Sequence, residues 1–432
     1  MRQREYLVMD RESERAFYLH HLERVVLPFW LDRAVDTEYG GYLTCFDNTG
    51  RELVSNDKFT WSQGRMVWVL AKLASMESIL GHSREEYLGL ARSGAEFLMQ
   101  HAVLDNGHAV FVMDRQGTPK EQVPGAGYDT SIYADCFVIL GLSRYAMASG
   151  DREALDFAHR LYRSVLDRLA SGCYRTEPYP TPAGYKAHGI PMIMLNVSEE
   201  LAQALAALGD PASADVDRRA DGYLREIMDH FVAGDLVHET IDTSNRIVPD
   251  RLLGRYVNPG HTLEDMWFVM HQALTKDDRD TIAKAARIIL RTLEVGWDEA
   301  YGGLCLFVDQ DGGPPRGSTA GLQDHTMVLK VENDCDNKLW WPHVEGLYAT
   351  LLAFSLTGDR PLLEWYQKVR DYTFNTFPNP DPEVGEWIQI RDRQGRPQDK
   401  IVALPVKDPF HIIRALILMV ELLDQRSLHL EG

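Results

Sequence analysis

The chain has 432 residues, of which 45% are hydrophobic and 25% charged, and its formal net charge is −19. That balance excludes a disordered or low-complexity protein. The acidic excess excludes a basic nucleic-acid surface and disfavours binding to an anionic membrane.

From the N-terminus onward, residues 1–15 lack an apolar core and do not read as a secretory signal. A Gly-Gly turn motif follows at 36–50, with Asp36, Gly40, Gly41 and Gly50, and it is repeated closely at 298–312 with Asp298, Gly302, Gly303 and Gly312. Each copy has a turn, a strand-length apolar run and a second Asp/Gly turn, the pattern of a short β-excursion. Weaker versions begin near 105, 171, 235 and 381. Between them lie long apolar stretches at 62–74, 133–147, 191–208, 263–274, 344–356 and 410–423. These alternate with amphipathic stretches at 15–31, 84–101, 152–170, 212–231, 276–295 and 361–377. A helix apolar all round is an inner helix, and an amphipathic one lies outside it. Six such pairs predict an all-α (α/α)6 barrel in one domain, 1–432, with β-hairpin excursions at one mouth. The apolar run near 415–423 is broken by Glu421, so no membrane span is expected. Five cysteines (Cys45, Cys136, Cys173, Cys305 and Cys335) are odd in number and form no CxxC pair. They predict buried thiols in a reducing, cytoplasmic compartment.

Polar and aromatic residues gather where the inner helices begin: Trp61, Gln63 and Arg65; Tyr133 and Asp135; His188 and Asn196; His261 and Glu264; Trp340, His343 and Glu345; Lys407, His411 and Arg414. Apolar helices need no charge there for packing, which points to a central polar pocket. Trp61, Trp267, Trp340, Trp341 and Trp387 add flat apolar faces beside carboxylates and imidazoles. That mixture suits a sugar, with C–H faces and a hydroxyl rim. Arg65 and Lys407 are the cations expected in the pocket, too few for a phosphosugar. The chain has no GxxxxGK[ST], no GxGxxG, no HExxH and no GxSxG. Acid–base chemistry by histidines and carboxylates remains, with no metal or other cofactor implied.

The stretches Trp-Ser-Gln-Gly-Arg at 61–65, Asn-Pro-Gly-His-Thr-Leu-Glu at 258–264, Trp-Trp-Pro-His-Val-Glu at 340–345 and Lys-Asp-Pro-Phe-His-Ile-Ile-Arg at 407–414 resemble the N-acyl-D-glucosamine 2-epimerase family. The resemblance spans about residues 15–423, and it implies an (α/α)6 barrel that acts on a small-molecule sugar. Within the family, the segment 189–201 resembles acylglucosamine epimerases most. At 191–196 it departs from the histidine-containing motif of cellobiose epimerases, and His188 stands just upstream.

The resemblance implies epimerisation between N-acyl-D-glucosamine and N-acyl-D-mannosamine, with ring opening and proton transfer at C2. His261 and His411 are then the two bases, Arg65 the stabiliser of the O1 charge, or a salt-bridge partner of Glu264 or Glu345, and Glu345 a catalytic carboxylate. Glu264, three residues after His261, would orient that imidazole. Trp61, Gln63, Tyr133, Asp135, Asn196, Trp340, Trp387 and Lys407 are the expected substrate contacts. Aldose–ketose isomerisation and cellobiose 2-epimerisation are alternatives, with glycoside hydrolysis by Glu264 and Glu345 or sugar binding without catalysis further ones. A homodimer is implied only by relatives.

Overall fold

Two kinds of helix alternate along the chain, and their burial explains the alternation. In the computed structural model, which describes residues 9–76 and 82–425, six helices are buried on most faces. They are Thr60–Leu73, Ile132–Ser149, Gly189–Ala207, Pro259–Thr275, Trp340–Thr357 and Phe410–Asp424. The amphipathic partners are Arg84–His101, Arg152–Ser171, Ser213–Glu226, Arg279–Gly296 and Arg360–Thr376. The remaining partner is Arg11–His21, carried on through a π-helical turn into Leu27–Arg33. Each inner helix packs on the next, the sixth returns to the first, and each outer helix covers an inner one. The expected (α/α)6 barrel is what the chain forms. Residues 1–8 of the N-terminal stretch, 77–81 and 426–432 lie outside the described residues.

Short antiparallel pairings tie neighbouring helix pairs around one mouth. The strand before each inner helix pairs with the excursion before the next one. Lys58–Phe59 pairs with Val112–Met113, and Tyr185–Ala187 with Thr240–Asp242. Tyr256–Val257 pairs with Val308–Asp309, and Lys338–Leu339 with Ile390–Arg391. Ser131 bridges Thr176, and the Lys407 N–H donates to the Thr44 carbonyl at 2.9 Å, which closes the circuit. The segment after 171 therefore makes no local hairpin, contrary to expectation. Gly172 ends its helix in the left-handed region, and the following residues run to Ser131 instead.

The close repeat of 36–50 at 298–312 has a common ionic frame. Asp36 pairs with buried Lys58 at 3.0 Å and with Arg115 at 2.9 Å. Asp298 pairs with buried Lys338 at 3.3 Å and with Arg393 at 2.7 Å. Gly41 and Gly303 have positive φ, and a side chain there would strike Gln63 and His343 respectively. A buried lysine needs a paired carboxylate, so each Asp–Lys pair anchors its turn to the strand that starts an inner helix.

The fourth and fifth inner helices begin a turn earlier than their apolar pattern suggests. Asn258 caps the fourth by accepting from the His261 N–H at 3.3 Å, and Pro259 and Pro342 sit in first turns, where no N–H is needed. His261 consequently stands on the helix itself, in its first turn.

The first and second inner helices meet through Gly64 and Gly141, where an added Cβ would lie 2.1 Å from the Phe137 carbonyl oxygen and 2.4 Å from that of Gly64. Both obstacles are helix backbone and cannot rotate away. Gly64→Ala is therefore expected to cost about 1–3 kcal/mol of stability or more, read by urea denaturation. A variant as stable as the parent would show that the helices do not approach this closely.

Candidate active site

The belt of pairings brings the first turns of the inner helices around a cavity of about 230 Å³, which suits a small ligand. Trp61, Arg65, Tyr133, Asn196, His261, Glu264, Trp340 and His411 all line it. Glu345 stands immediately behind His411.

His411, on the sixth inner helix, faces Glu345 Oε1 through Nδ1 at 2.7 Å. The Glu345 carboxylate also accepts from the Trp267 indole at 2.7 Å and from Arg414 at 2.6 Å. Arg414 donates to Glu264 as well, so one buried guanidinium joins carboxylates from the fourth and fifth helices. Burial pushes the His411 imidazole down to about 3, and Glu264 on the other side does not offset it. His411 is thus a neutral base near pH 7, with Nδ1 held by a carboxylate and, among the described residues, no hydrogen-bond partner at Nε2.

His261, in the first turn of the fourth inner helix, is more open, its side chain 36% exposed. Its Nδ1 lies 2.9 Å from Glu239 Oε2. The Trp341 ring stands against both imidazoles, with centroids 5.4 Å from His261 and 5.6 Å from His411. Glu264 does not orient His261 as its spacing suggested. Although the two share a helix, the Glu264 carboxylate is drawn to Arg414 and lies 3.8 Å from His411. Arg65 pairs with Asp408 instead of Glu264 or Glu345. Its guanidinium lies 4.2 Å from the Phe137 ring centroid and 5.2 Å from those of Trp61 and Phe410.

Four expected substrate contacts do not line the cavity. The Gln63 amide accepts from the Tyr42 N–H at 2.7 Å and donates to the Tyr42 carbonyl at 2.8 Å. Asp135 pairs with Arg168 on an outer helix at 2.7 Å and accepts from the Ala109 N–H. Trp387 is fully buried and donates to His21 Nε2 at 2.7 Å. Lys407 pairs with Glu386 at 2.8 Å and donates to two loop carbonyls. Gln63, Asp135 and Lys407 satisfy rim backbone or a buried charge and Trp387 satisfies a buried imidazole, which is why polar residues occur near helix starts without touching a ligand. Sequence reasoning gave Trp341 only as one of five flat apolar faces, placed Arg414 at a helix start without a role, and assigned nothing to Glu239 or Asp408. Arg414 lies one turn after His411 in a quoted motif, whereas Glu239 comes from an excursion whose spacing relates it to no helix.

Among the described residues, two clusters bring three donor atoms within 4.8 Å of one another: His188, Glu239 and His261, and Glu264, Glu345 and His411. Arg414 already supplies the positive charge of the second. The model of N-acylglucosamine 2-epimerase (GlcNAc 2-epimerase) matches residues 41–415. The chain belongs to the N-acylglucosamine 2-epimerase family. The human N-acylglucosamine 2-epimerase is 31% identical over 96% of this chain and 92% of its own length. A cellobiose 2-epimerase of Ruminococcus albus is 23% identical over 89% of this chain and 93% of its own. The crystal structure of a sugar epimerase from a ruminal bacterium, 21% identical, superposes with a TM-score of 0.74 over 94% of this chain and 98% of that one.

The family's motifs thus meet in a network with stability consequences. Arg414→Met strands two buried carboxylates and is expected to cost about 3–5 kcal/mol in denaturant titrations. Adding Glu264→Gln and Glu345→Gln should restore most of the loss; an unaffected single variant would contradict the pairing. Burial also pushes His343 down to about 3 and His21 and His271 to about 4. Unfolded, these rings and His411 titrate near pH ~6.5, so below that pH the unfolded chain binds more protons. Their contribution is full above pH ~6.5 and lost as pH falls toward the folded values. Denaturation midpoints should drop over this window, and less steeply in His271→Phe; parallel curves would show that this ring is not buried neutral.

Proposed function

We propose that the protein interconverts N-acyl-D-glucosamine and N-acyl-D-mannosamine. The observation that carries this reading is the pair of imidazoles, His261 and His411. They stand on different inner helices against one indole, Trp341, each with Nδ1 on a carboxylate. Epimerisation needs a proton removed from one face of C2 and another returned to the opposite face, a demand that two separate bases meet.

Ring opening breaks the C1–O5 bond as the O1 proton is lost and O5 gains one, which leaves a C1 aldehyde. The Nε2 of one imidazole then takes the C2 proton, and the electron pair moves through C1 to O1 as an enediolate-type intermediate that keeps the acylamino group on C2. Arg65 meets the charge developing on O1 with fixed donors; its Nε is buried and has no partner among the described residues. The other histidine, as imidazolium, returns a proton to the far face of C2. Glu345 and Glu239 keep the two Nδ1 atoms engaged, so both rings use Nε2. Buried indole N–H groups of Trp61 and Trp340 also lack partners among the described residues, and both side chains line the cavity, where they serve as donors to sugar oxygens. Tyr133 and Asn196 complete the expected contacts.

The proposal takes the whole chain as one domain acting in the cytoplasm, a location supported by five unpaired thiols. Homodimerisation rests on the family resemblance, and the route uses no metal.

The test is incubation with N-acetylmannosamine, mannose and cellobiose in D2O, with products and C2 deuteration read by NMR. Acetylglucosamine formation is expected, and it should fall about 10²–10⁴-fold in His261→Asn and in His411→Asn. Each variant should retain exchange from one epimer, a different one in each. Near-normal epimerisation in either would remove that histidine from the mechanism. Fructose or epimerised cellobiose without acetylglucosamine would favour the isomerase or disaccharide readings, and sugar released from an oligosaccharide would favour hydrolysis.

A further inference from the structure

Behind His261 and Glu239 lie two buried groups, His188 and Asp265, that the epimerisation route leaves unused. His188 follows the strand Tyr185–Ala187 and is fully buried, its backbone N–H donating to the Glu239 carbonyl at 3.0 Å. Its Nε2 lies 2.9 Å from Asp265 Oδ2, and its Nδ1 lies 3.5 Å from Glu239 Oε1. The other Glu239 oxygen is the one that engages His261. Asp265, Glu239 and His188 are all within a few per cent of complete burial. Among the described residues no lysine or arginine pairs with either carboxylate. The other titratable groups around them are Glu199 and Glu264 beside Asp265, and Tyr133 and Tyr256 beside Glu239. The Phe231 ring packs on His188 with centroids 5.7 Å apart. Among the described residues, the groups able to carry positive charge against the two carboxylates are His188, which meets both, and His261, which meets Glu239.

The arrangement parallels the one behind the second base. There Arg414 neutralises Glu345, and Glu345 holds Nδ1 of His411. Here an imidazole occupies the place of the guanidinium. We propose that His188 is a positioning residue: a permanently charged imidazolium that keeps Glu239 ionised and so holds Nδ1 of His261, leaving Nε2 to the substrate. Burial opposes charge on His188, but Asp265 and Glu239 outweigh it and push the ring up to about 10. Burial likewise opposes the ionised form of Glu239, and His261 and His188 nevertheless hold it at about 2. The catalytic role of His261 rests on the proposed function; the electrostatic linkage does not.

The test follows imidazole 15N resonances of the full chain with labelled histidine across pH, with His188→Asn and His261→Asn supplying assignments. In the parent, His188 should carry two N–H protons throughout the neutral range, and neutral His261 should carry its proton on Nδ1. In His188→Asn, Glu239 loses its balancing cation and only His261 is left to supply one. The His261 midpoint should then rise by about one pH unit, and the acid limb of kcat/KM for acylhexosamine epimerisation should rise with it. A parent His188 that titrates near pH ~6.5, the ordinary histidine value, overturns the proposal even where the variant fails to fold. So does a His261 midpoint that stays or falls in the variant. An enzyme inert on acylhexosamines whose His261 midpoint rises as stated would overturn the substrate reading and leave this one standing.

Discussion

A guanidinium buried among three helices sets the terms for the rest of the site. Arg414 has almost no contact with solvent, and charge in such surroundings needs paired carboxylates. Glu264 and Glu345 supply that pairing from the fourth and fifth inner helices, so the one contact fixes the relative rotation of three helices. Trp267 completes the Glu345 carboxylate, and His411 takes up the remaining direction. With Nδ1 held and the ring buried, His411 is kept neutral. The same pairing that permits the charge to be buried also prepares a base.

The two histidines reach similar poses by different means. His411 is enclosed and backed by an arginine, which does not titrate in the physiological range. His261 is partly open to the cavity and backed by a carboxylate from the bend before the strand Thr240–Asp242, Glu239. Trp341 keeps both rings on one apolar surface. A two-base epimerisation is consistent with such inequality, because the two directions of reaction start with different protonation states of the pair.

The belt of short strands explains why so much polarity at the mouth is structural. Excursions of only two or three paired residues cannot bury enough apolar surface to hold themselves. Ionic and amide anchors therefore supplement them: Lys58 and Lys338 on Asp36 and Asp298, Lys407 on Glu386, and Gln63 on the Tyr42 backbone. Gln63 and His343 hold equivalent positions in the two close repeats, each contacting the turn that a positive-φ glycine leaves open. Both were visible at helix starts, beside residues that face the cavity, and only contact separates the two groups.

The barrel itself was legible in the sequence, because burial on all sides or on one side writes a different apolar period into inner and outer helices. The repeat of the Gly-Gly turns was equally legible, since a positive φ restricts the residue locally. Histidines, tryptophans and Arg65 at the helix starts were found by the same local logic, which asks why an apolar helix would begin with charge. What the sequence left open was pairing. Glu264 is one turn from His261 yet serves Arg414, 150 residues away. Glu239, which does hold His261, comes from the bend just before the strand Thr240–Asp242, with no fixed register to that helix. Lys407 and Arg65 look alike as lone cations, and one is absorbed by Glu386 while the other lines the cavity. Periodicity reports which face of a helix is buried. Which buried charge meets which depends on how the six pairs close into a ring, and only the tertiary structure decides that.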